Sequence, residues 1–254
     1  MLSRLYPLII PALSTSAVLL ISGCATTESA SSGGAGADGT PTWSIQYQGA
    51  IQVRNKTYHV VDLYDVSDSD LARIRAAGSK PIAYFSSQYE EWRPDASQFP
   101  DRDLGNPLLG WPGERWVNTK SEAIRSIIRS RLDLAKRRGF YGVDVDNTDL
   151  YEHITGFENS TRTAANYVRF IATEAHARGL KYSLKNSMDL IPAVKNVVDF
   201  YQNEECQQYG EEDRYRGVGP VFNIEYKRPS SPYRRKGFYS LLKRTKMGAF
   251  EEEL

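Results

Sequence analysis

The sequence predicts an α/β fold: a single (β/α)8 barrel, lean and with long loops. Three observations predict it. Short β-branched and aromatic runs alternate with longer stretches of helical period. Glycines stop the helical stretches just before the next run. Acidic residues collect at the carboxyl ends of the apolar runs, where parallel α/β folds carry their chemistry.

The first run, Trp43-Ser44-Ile45-Gln46-Tyr47, alternates like a strand. A second covers residues 58–64 and carries Asp62, an acid that must face a polar cleft, because a buried unpaired carboxylate costs on the order of several kcal/mol. Ser67 or Asp68 caps the next helix, with Leu71, Ile74 and Ala77 on its apolar side and Gly78 as its stop. Residues 80–85 form a third strand, followed by the aromatic and acidic loop Tyr89-Glu90-Glu91-Trp92-Arg93. Pro94, Pro100, Pro107 and Pro112 make residues 94–113 a long ordered loop rather than a helix.

Trp116 and Val117 form a brief fourth strand. Ser121 opens a helix with Ile124, Ile127, Ile128, Leu132, Leu134 and Ala135 at helical spacing, and its basic end complements the carbonyl dipole. Gly139 stops it, and a strand then runs into Asp144, Asp146 and Asp149. The alternation puts Asp144 and Asp146 on one face, with Val143 and Val145 on the other. A helix over residues 161–177, stopped by Gly179, leads to a strand over 180–184 that ends at Lys185-Asn186. A short helix over 190–195 leads to a strand over 197–202 ending at Asn203-Glu204. The last strand covers 221–226 and carries Glu225. Eight strands alternating with helices demand parallel pairing and right-handed crossovers, so a barrel closes them economically. About 190 residues is lean for an architecture that usually takes about 250, so the early helices are short or replaced by loops. The competing fold is an open doubly wound sheet, but no glycine-rich phosphate loop follows the first strand. The basic tail, residues 227–246, is expected to close the fold as a helix with Phe238, Leu241, Leu242 and Met247 packed inward.

Residues 1–23 read as a signal: Arg4, an apolar run broken by Pro7 and Pro11, then Ile21-Ser22-Gly23-Cys24. This resembles a bacterial lipoprotein signal, which implies cleavage before Cys24, lipidation of its thiol and a membrane anchor in the bacterial cell envelope. Ala25 after the cysteine points to the outer membrane. Residues 24–41 are a Ser, Gly and Ala tether, and residues 42–254 are the folded domain with its basic tail. With Cys24 lipidated, Cys206 stands alone and no internal disulfide is available. A composition of 41% apolar and 25% charged residues fits a globular domain, and a net charge of +1 argues against a nucleic-acid partner. A monomer is expected.

If the strands close, Asp62, Tyr84, Asp144, Asp146, Lys185, Glu204 and Glu225 converge on one mouth, with Tyr47, Tyr89, Trp92 and Tyr201 nearby. Carboxylates bind sugar hydroxyls and aromatic rings stack on sugar faces. Two carboxylates flanking a glycosidic bond suffice to hydrolyse it, and Asp146 and Glu204 are the natural pair. Metal chemistry is disfavoured. His59, His153 and His176 are scattered, and Asp144, Asp146 and Asp149 lack the glycine and distal glutamate of a calcium loop. No Gly-x-Ser-x-Gly motif supports a serine nucleophile. No cofactor or metal is expected.

Trp43 to Tyr47, Tyr84-Phe85-Ser86, Trp92-Arg93-Pro94-Asp95, Gly110-Trp111-Pro112-Gly113-Glu114, Gly142-Val143-Asp144-x-Asp146-Asn147-x-Asp149 and Asn203-Glu204-x-Cys206-x-x-Tyr209 closely resemble glycoside hydrolase family 114. That resemblance implies a TIM-barrel endo-α-1,4-polygalactosaminidase acting on partly deacetylated galactosamine polymer. It places the catalytic aspartate at Asp146 and the glutamate at Glu204, read as nucleophile and acid/base. Asp62, Tyr84, Asp144, Asn147, Asp149, Lys185, Tyr201 and Glu225 are then expected to bind substrate. Two departures stand out: Asp144-Val145 replaces the family's Glu-Pro, and Ser187 replaces an aspartate after Lys185-Asn186. They keep two alternatives open, a noncatalytic polysaccharide-binding lipoprotein and a hydrolase of another α-linked glycan.

Overall fold

The apolar runs assemble into a nine-stranded sheet in the computed structural model, which describes residue 34 and residues 39–254. β1 (Trp43–Gln46), β2 (Tyr58–Asp62) and β3 (Lys80–Ser86) lie side by side. The chain then leaves through β4 (Tyr89–Glu90), β5 (Leu104–Pro107) and β6 (Glu114–Val117). It returns to the sheet with β7 (Gly142–Asp146), β8 (Lys181–Lys185), β9 (Phe200–Glu204), β10 (Val221–Glu225), β11 (Phe238–Leu242) and β12 (Glu252–Glu253). Neighbours from β1 to β11 pair in parallel, and β12 runs antiparallel to β11. The carboxyl ends of these parallel strands therefore share one edge.

Strand alternation sorts the side chains. Trp43, Ile45, Val60, Ile82, Phe200, Phe222, Ile224 and Leu241 pack with Met247 on one face. If the sheet were flat, β1 and β10 would lie about 28 Å apart at the usual interstrand spacing. The rings of Trp43 and Phe222 are 5.2 Å apart, so the sheet curls and these residues fill its concave side. Among the described residues the two rims meet without a ladder between β1 and β11. The Trp43 indole donates to the Tyr239 carbonyl (3.2 Å), Lys243 Nζ to the Ile45 carbonyl (2.6 Å), and the Tyr47 N–H to the Met247 carbonyl (2.9 Å).

The convex face packs against α1 (Asp68–Ala76), α2 (Glu122–Arg137), α3 (Thr161–Ala177), α4 (Ile191–Val194) and α5 (Cys206–Tyr209) in a second, larger core. Ser67 caps α1 by accepting from Asp70 N–H, and Ser160 and Thr163 form a capping box on α3. Gly78, Gly139 and Gly179 follow α1, α2 and α3 at φ +75°, +75° and +71°, the left-handed turn that lets each chain re-enter the sheet.

Three expectations need correction. Trp116 and Val117 belong not to the main sheet but to β6, the centre of a three-stranded antiparallel sheet with β4 and β5. The tail is not a helix: Phe238–Leu242 is the eighth parallel strand, its apolar positions dividing between the two faces of the sheet. The strand expected over residues 197–202 starts at Phe200 and reaches Glu204, which places that glutamate at the strand end. Cys24 lies outside the described residues, and no helix among the described residues is long and apolar enough to cross a membrane.

Candidate active site

Three adjacent strands bring the chemistry together. Asp146 ends β7, Lys185 ends β8 and Glu204 ends β9. The buried Lys185 ammonium donates to Asp146 Oδ2 at 3.0 Å and to Glu204 Oε2. Tyr84 from β3 donates its hydroxyl to the same Asp146 oxygen at 2.9 Å, and Tyr226, just past β10, donates to Glu204 Oε1. Both carboxylates are partly open to solvent, with side-chain exposures of 17% and 24%, while the lysine between them has 4%.

Each of these strands is followed by a residue in the left-handed region: Asn147 (φ 59°), Asn186 and Ser187 (52° and 43°), and Glu205 (62°). Such conformations cost on the order of 1 kcal/mol or more outside glycine, and they cluster where side chains must be aimed. Their hydrogen bonds hold the aim. Asn147 N–H donates to Asp146 Oδ1 (2.8 Å), while its amide reaches Ser86 Oγ (2.9 Å). Asn186 Oδ1 accepts from the Glu204 N–H (3.0 Å). Ser187, at one of the departures, is buried and shares a 2.8 Å hydrogen bond with Thr148, so it ties two strand ends together.

Burial alone would lower the Lys185 ammonium, but Asp146, Glu204 and Asp144 around it raise it well above its usual range. Burial pushes the Glu204 carboxyl up. Lys185, Tyr226 and Asn186 outweigh that and hold it below the usual carboxylate range. Asp144, one strand layer deeper and with no exposure, is pushed up to about 7 by burial against the pull of Lys185. Neither of its oxygens has a hydrogen-bond partner. Asp149 is raised by burial and by Asp146, and it faces His153 at 3.5 Å.

Three expected substrate contacts are placed elsewhere. Glu225 faces the convex side, accepting from Gln207 N–H (2.8 Å) and Asn223 Nδ2 (2.9 Å). Tyr201 also lies on the convex side, buried against Tyr215. The strand period explains both: on β9 and β10 it is Gln202, Glu204, Ile224 and Tyr226 that turn inward, so the inward partner was one residue beyond Glu225. Asp62 stands at the end of β2 but is occupied by Arg93, which binds both its oxygens at 3.0 and 2.7 Å. Arg93 also holds Glu90 at 2.9 Å. Asp95 in the same motif pairs with the fully buried Arg131 of α2 at 2.7 and 3.0 Å. The Arg93-Pro94-Asp95 segment is thus a clamp under the loop. Tyr47 stacks on Tyr84 at 4.0 Å and stiffens the wall beside Asp146. Sequence reasoning gave no site role to Glu114, whose carboxyl is raised to about 8 by burial, Glu90 and Asp146. Among the described residues no His, Cys, Asp and Glu group has the arrangement of a metal site.

A curled parallel sheet with two carboxylates at its carboxyl edge, bridged by a buried lysine and lined by tyrosines, is the equipment of a glycoside hydrolase. The chain belongs to glycoside-hydrolase family GH114, whose model matches residues 25–252. Among solved structures it is similar to Aspergillus fumigatus Ega3 in complex with galactosamine, at 33% identity, covering 84% of this chain and 95% of that one with a TM-score of 0.76. The glycoside hydrolase domain of PelA from Pseudomonas aeruginosa shares the fold at 13% identity, covering 83% of this chain and 97% of that one, with a TM-score of 0.66. An uncharacterized protein of Deinococcus radiodurans is 27% identical over 82% of this chain and 86% of its own length. The protein is a glycoside hydrolase.

Proposed function

We propose that this enzyme cleaves α-1,4-linked galactosamine-containing polysaccharide, with Asp146 as nucleophile and Glu204 as acid/base. The observation that carries the chemistry is the single ammonium shared by both carboxylates. Two acceptors on one donor nitrogen are no more than about 6 Å apart, which favours the spacing of about 5–5.5 Å between carboxyl groups found in retaining enzymes over the 6.5–9.5 Å of inverting ones. In the first step Asp146 attacks the anomeric carbon while Glu204 gives its proton to the departing glycosidic oxygen. Water then displaces Asp146, losing its proton to Glu204. Eight parallel strands, joined across the rims by Lys243 and Met247, act as the barrel that holds this edge rigid. Galactosamine is supported as the sugar by the galactosamine complex of the structure at 33% identity. Tyr84, Asn147, Asp149 and Lys185 shape the reacting subsite, and Asp144 acts on it from below.

Incubation of the domain with deacetylated galactosamine polymer should release oligosaccharides. Asp146→Asn and Glu204→Gln should each lose at least about a hundredfold in kcat. Release equal to wild type by both variants would remove the proposal. Azide added to the alanine variants separates the roles, because rescue with inverted configuration marks the nucleophile. We further propose residues 1–23 as signal, Cys24 as a lipidated anchor in the outer membrane, residues 24–41 as tether and residues 42–254 as the hydrolase domain. Palmitate labelling that survives in Cys24→Ala would refute the anchor.

A further inference from the structure

β6 is tied to the end of β7, where Val117 N–H donates to Gln88 Oε1 (2.9 Å) and the Gln88 amide donates to the Asn147 carbonyl (2.9 Å), and it supplies a carboxylate that none of the bonds described so far uses. Glu114 lies directly across from Glu90 in the β4–β6 pairing. The two are treated differently by their surroundings. Glu90 has the Arg93 guanidinium at 2.9 Å, with Arg93 also committed to Asp62. Glu114 is a buried residue whose side chain makes no hydrogen bond or ion pair with any described residue, while its backbone bonds to Trp111 and Leu108. It keeps 7% exposure where Asp144 has none. The charges acting on it are Glu90 from β4, Asp146 from β7 and, more weakly, Arg93 from the following loop.

A buried carboxyl with acids on two sides and no cation of its own is an incomplete ion pair. The loops around it are equipped for a sugar. Trp92 and Trp111 are 51% and 59% exposed. They stand on two segments tied by the Glu91 N–H to the Gly113 carbonyl (3.0 Å), and the Glu114 N–H closes the turn of the second onto the Trp111 carbonyl (3.1 Å). Gly113, at φ +88°, has the Glu91 side chain where a Cβ would sit, so this turn admits no larger residue without moving the acid.

We propose that Glu114 is the residue that selects an amino sugar, its carboxylate pairing with the free ammonium group of a galactosamine unit bound next to Asp146. This rests on the galactosamine reading above and adds what that reading lacks, a group that distinguishes the free amine from the acetamide. The proton balance follows from the empty site. Burial and two acidic neighbours keep Glu114 protonated at neutral pH, and an ammonium group arriving beside it expels that proton into solvent. An N-acetylated sugar brings no charge and expels none.

The test uses Glu204→Gln, which binds without turning over, and its double variant with Glu114→Gln. Both are titrated calorimetrically with deacetylated and N-acetylated galactosamine oligomers at about pH 6, in buffers of different ionisation heat, where the amine and Glu114 both hold their protons. The single variant should release close to one proton per deacetylated oligomer and none per acetylated one. The double variant should release none and bind the deacetylated oligomer at least about tenfold more weakly, with the acetylated oligomer unaffected. In the active enzyme Glu114→Gln should raise KM for the deacetylated polymer more than it lowers kcat. Equal weakening for both oligomers would assign Glu114 to a hydroxyl, and no proton release would leave it unpaired; either result overturns the proposal. If wild type neither binds nor cleaves any galactosamine polymer yet cleaves another glycan, the substrate reading has failed instead.

Discussion

At the scale of single residues, the site is governed by how Lys185 and burial divide their effects between Glu204 and Asp144. Glu204 is held low, so in the free enzyme it is largely ionised at neutral pH, whereas an acid catalyst must carry its proton into the reaction. The rate kcat/KM should therefore fall as pH rises through the Glu204 value, placing the optimum on the acidic side of neutrality. Lys185→Met removes the main force holding Glu204 low and leaves burial, which acts upward. A pH profile of this variant should show its alkaline limb displaced upward by about a unit or more, even though kcat falls. An unmoved limb would separate Lys185 from the acid. Asp144 obeys the opposite sign. Its ordinary carboxyl value near 3.9 in the unfolded chain rises to about 7 in the fold, so its contribution favours folding below about pH 4 and is lost as pH rises through 7. Asp144→Asn should stabilise the protein at pH 8 relative to pH 4 by roughly 2–4 kcal/mol compared with wild type, read from denaturant midpoints at the two pH values.

At the scale of elements, the strands and main helices were legible because their apolar periods match their environments. α2 buries Ile124, Ile127, Ile128, Leu132 and Ala135 of the stripe its sequence presents, with Leu134 at the half-buried edge. β7 shows Val143 and Val145 to the helices and turns Asp144 and Asp146 inward, as the alternation requires. What the sequence concealed lies where period is ambiguous. The five residues of β11 are too few to separate helix from strand, and β6 pairs within a local sheet that only tertiary contacts define. The acids were legible as a group but not by assignment, because Asp62 looks like a cleft residue until Arg93 is seen to neutralise it. Arg131 sits at 1% exposure in α2, where it binds Asp95 and the carbonyl of Ser86 (2.6 Å) at the end of β3. It fixes the helix to the strand that carries Tyr84. Arg131→Met keeps the stem's volume but leaves Asp95 without its cation, so it should destabilise the fold by about 3–5 kcal/mol. Paired replacement with Asp95→Leu should recover much of that loss in thermal unfolding, whereas a purely steric defect would not be recovered.

At the scale of the whole molecule, a formal charge of +1 hides a separation of charge. Asp146, Glu204, Glu90 and Asp62 gather around the carboxyl edge of the sheet, with Lys185 bonded to the first two and Arg93 to the last two. Much of the positive charge lies elsewhere, as in Arg228, Arg234, Arg235 and Lys236 between β10 and β11. A concave, low-dielectric mouth lined with acids focuses its field outward and raises the local concentration of a cationic polymer. The overall charge sets solubility, but the mouth sets encounter. The screening length falls from about 10 Å at 0.1 M salt to about 3 Å at 1 M, shorter than the width of a sugar-binding cleft. For deacetylated galactosamine polymer, kcat/KM should therefore fall several-fold between low and molar sodium chloride, with the change residing in KM and with kcat at saturation nearly constant. The N-acetylated polymer carries no charge for the field to act on, so its kcat/KM should stay flat over the same range. Parallel declines for both polymers would mean that salt acts on the protein itself, and the acids would then serve only the bond being cleaved and not the capture of the chain.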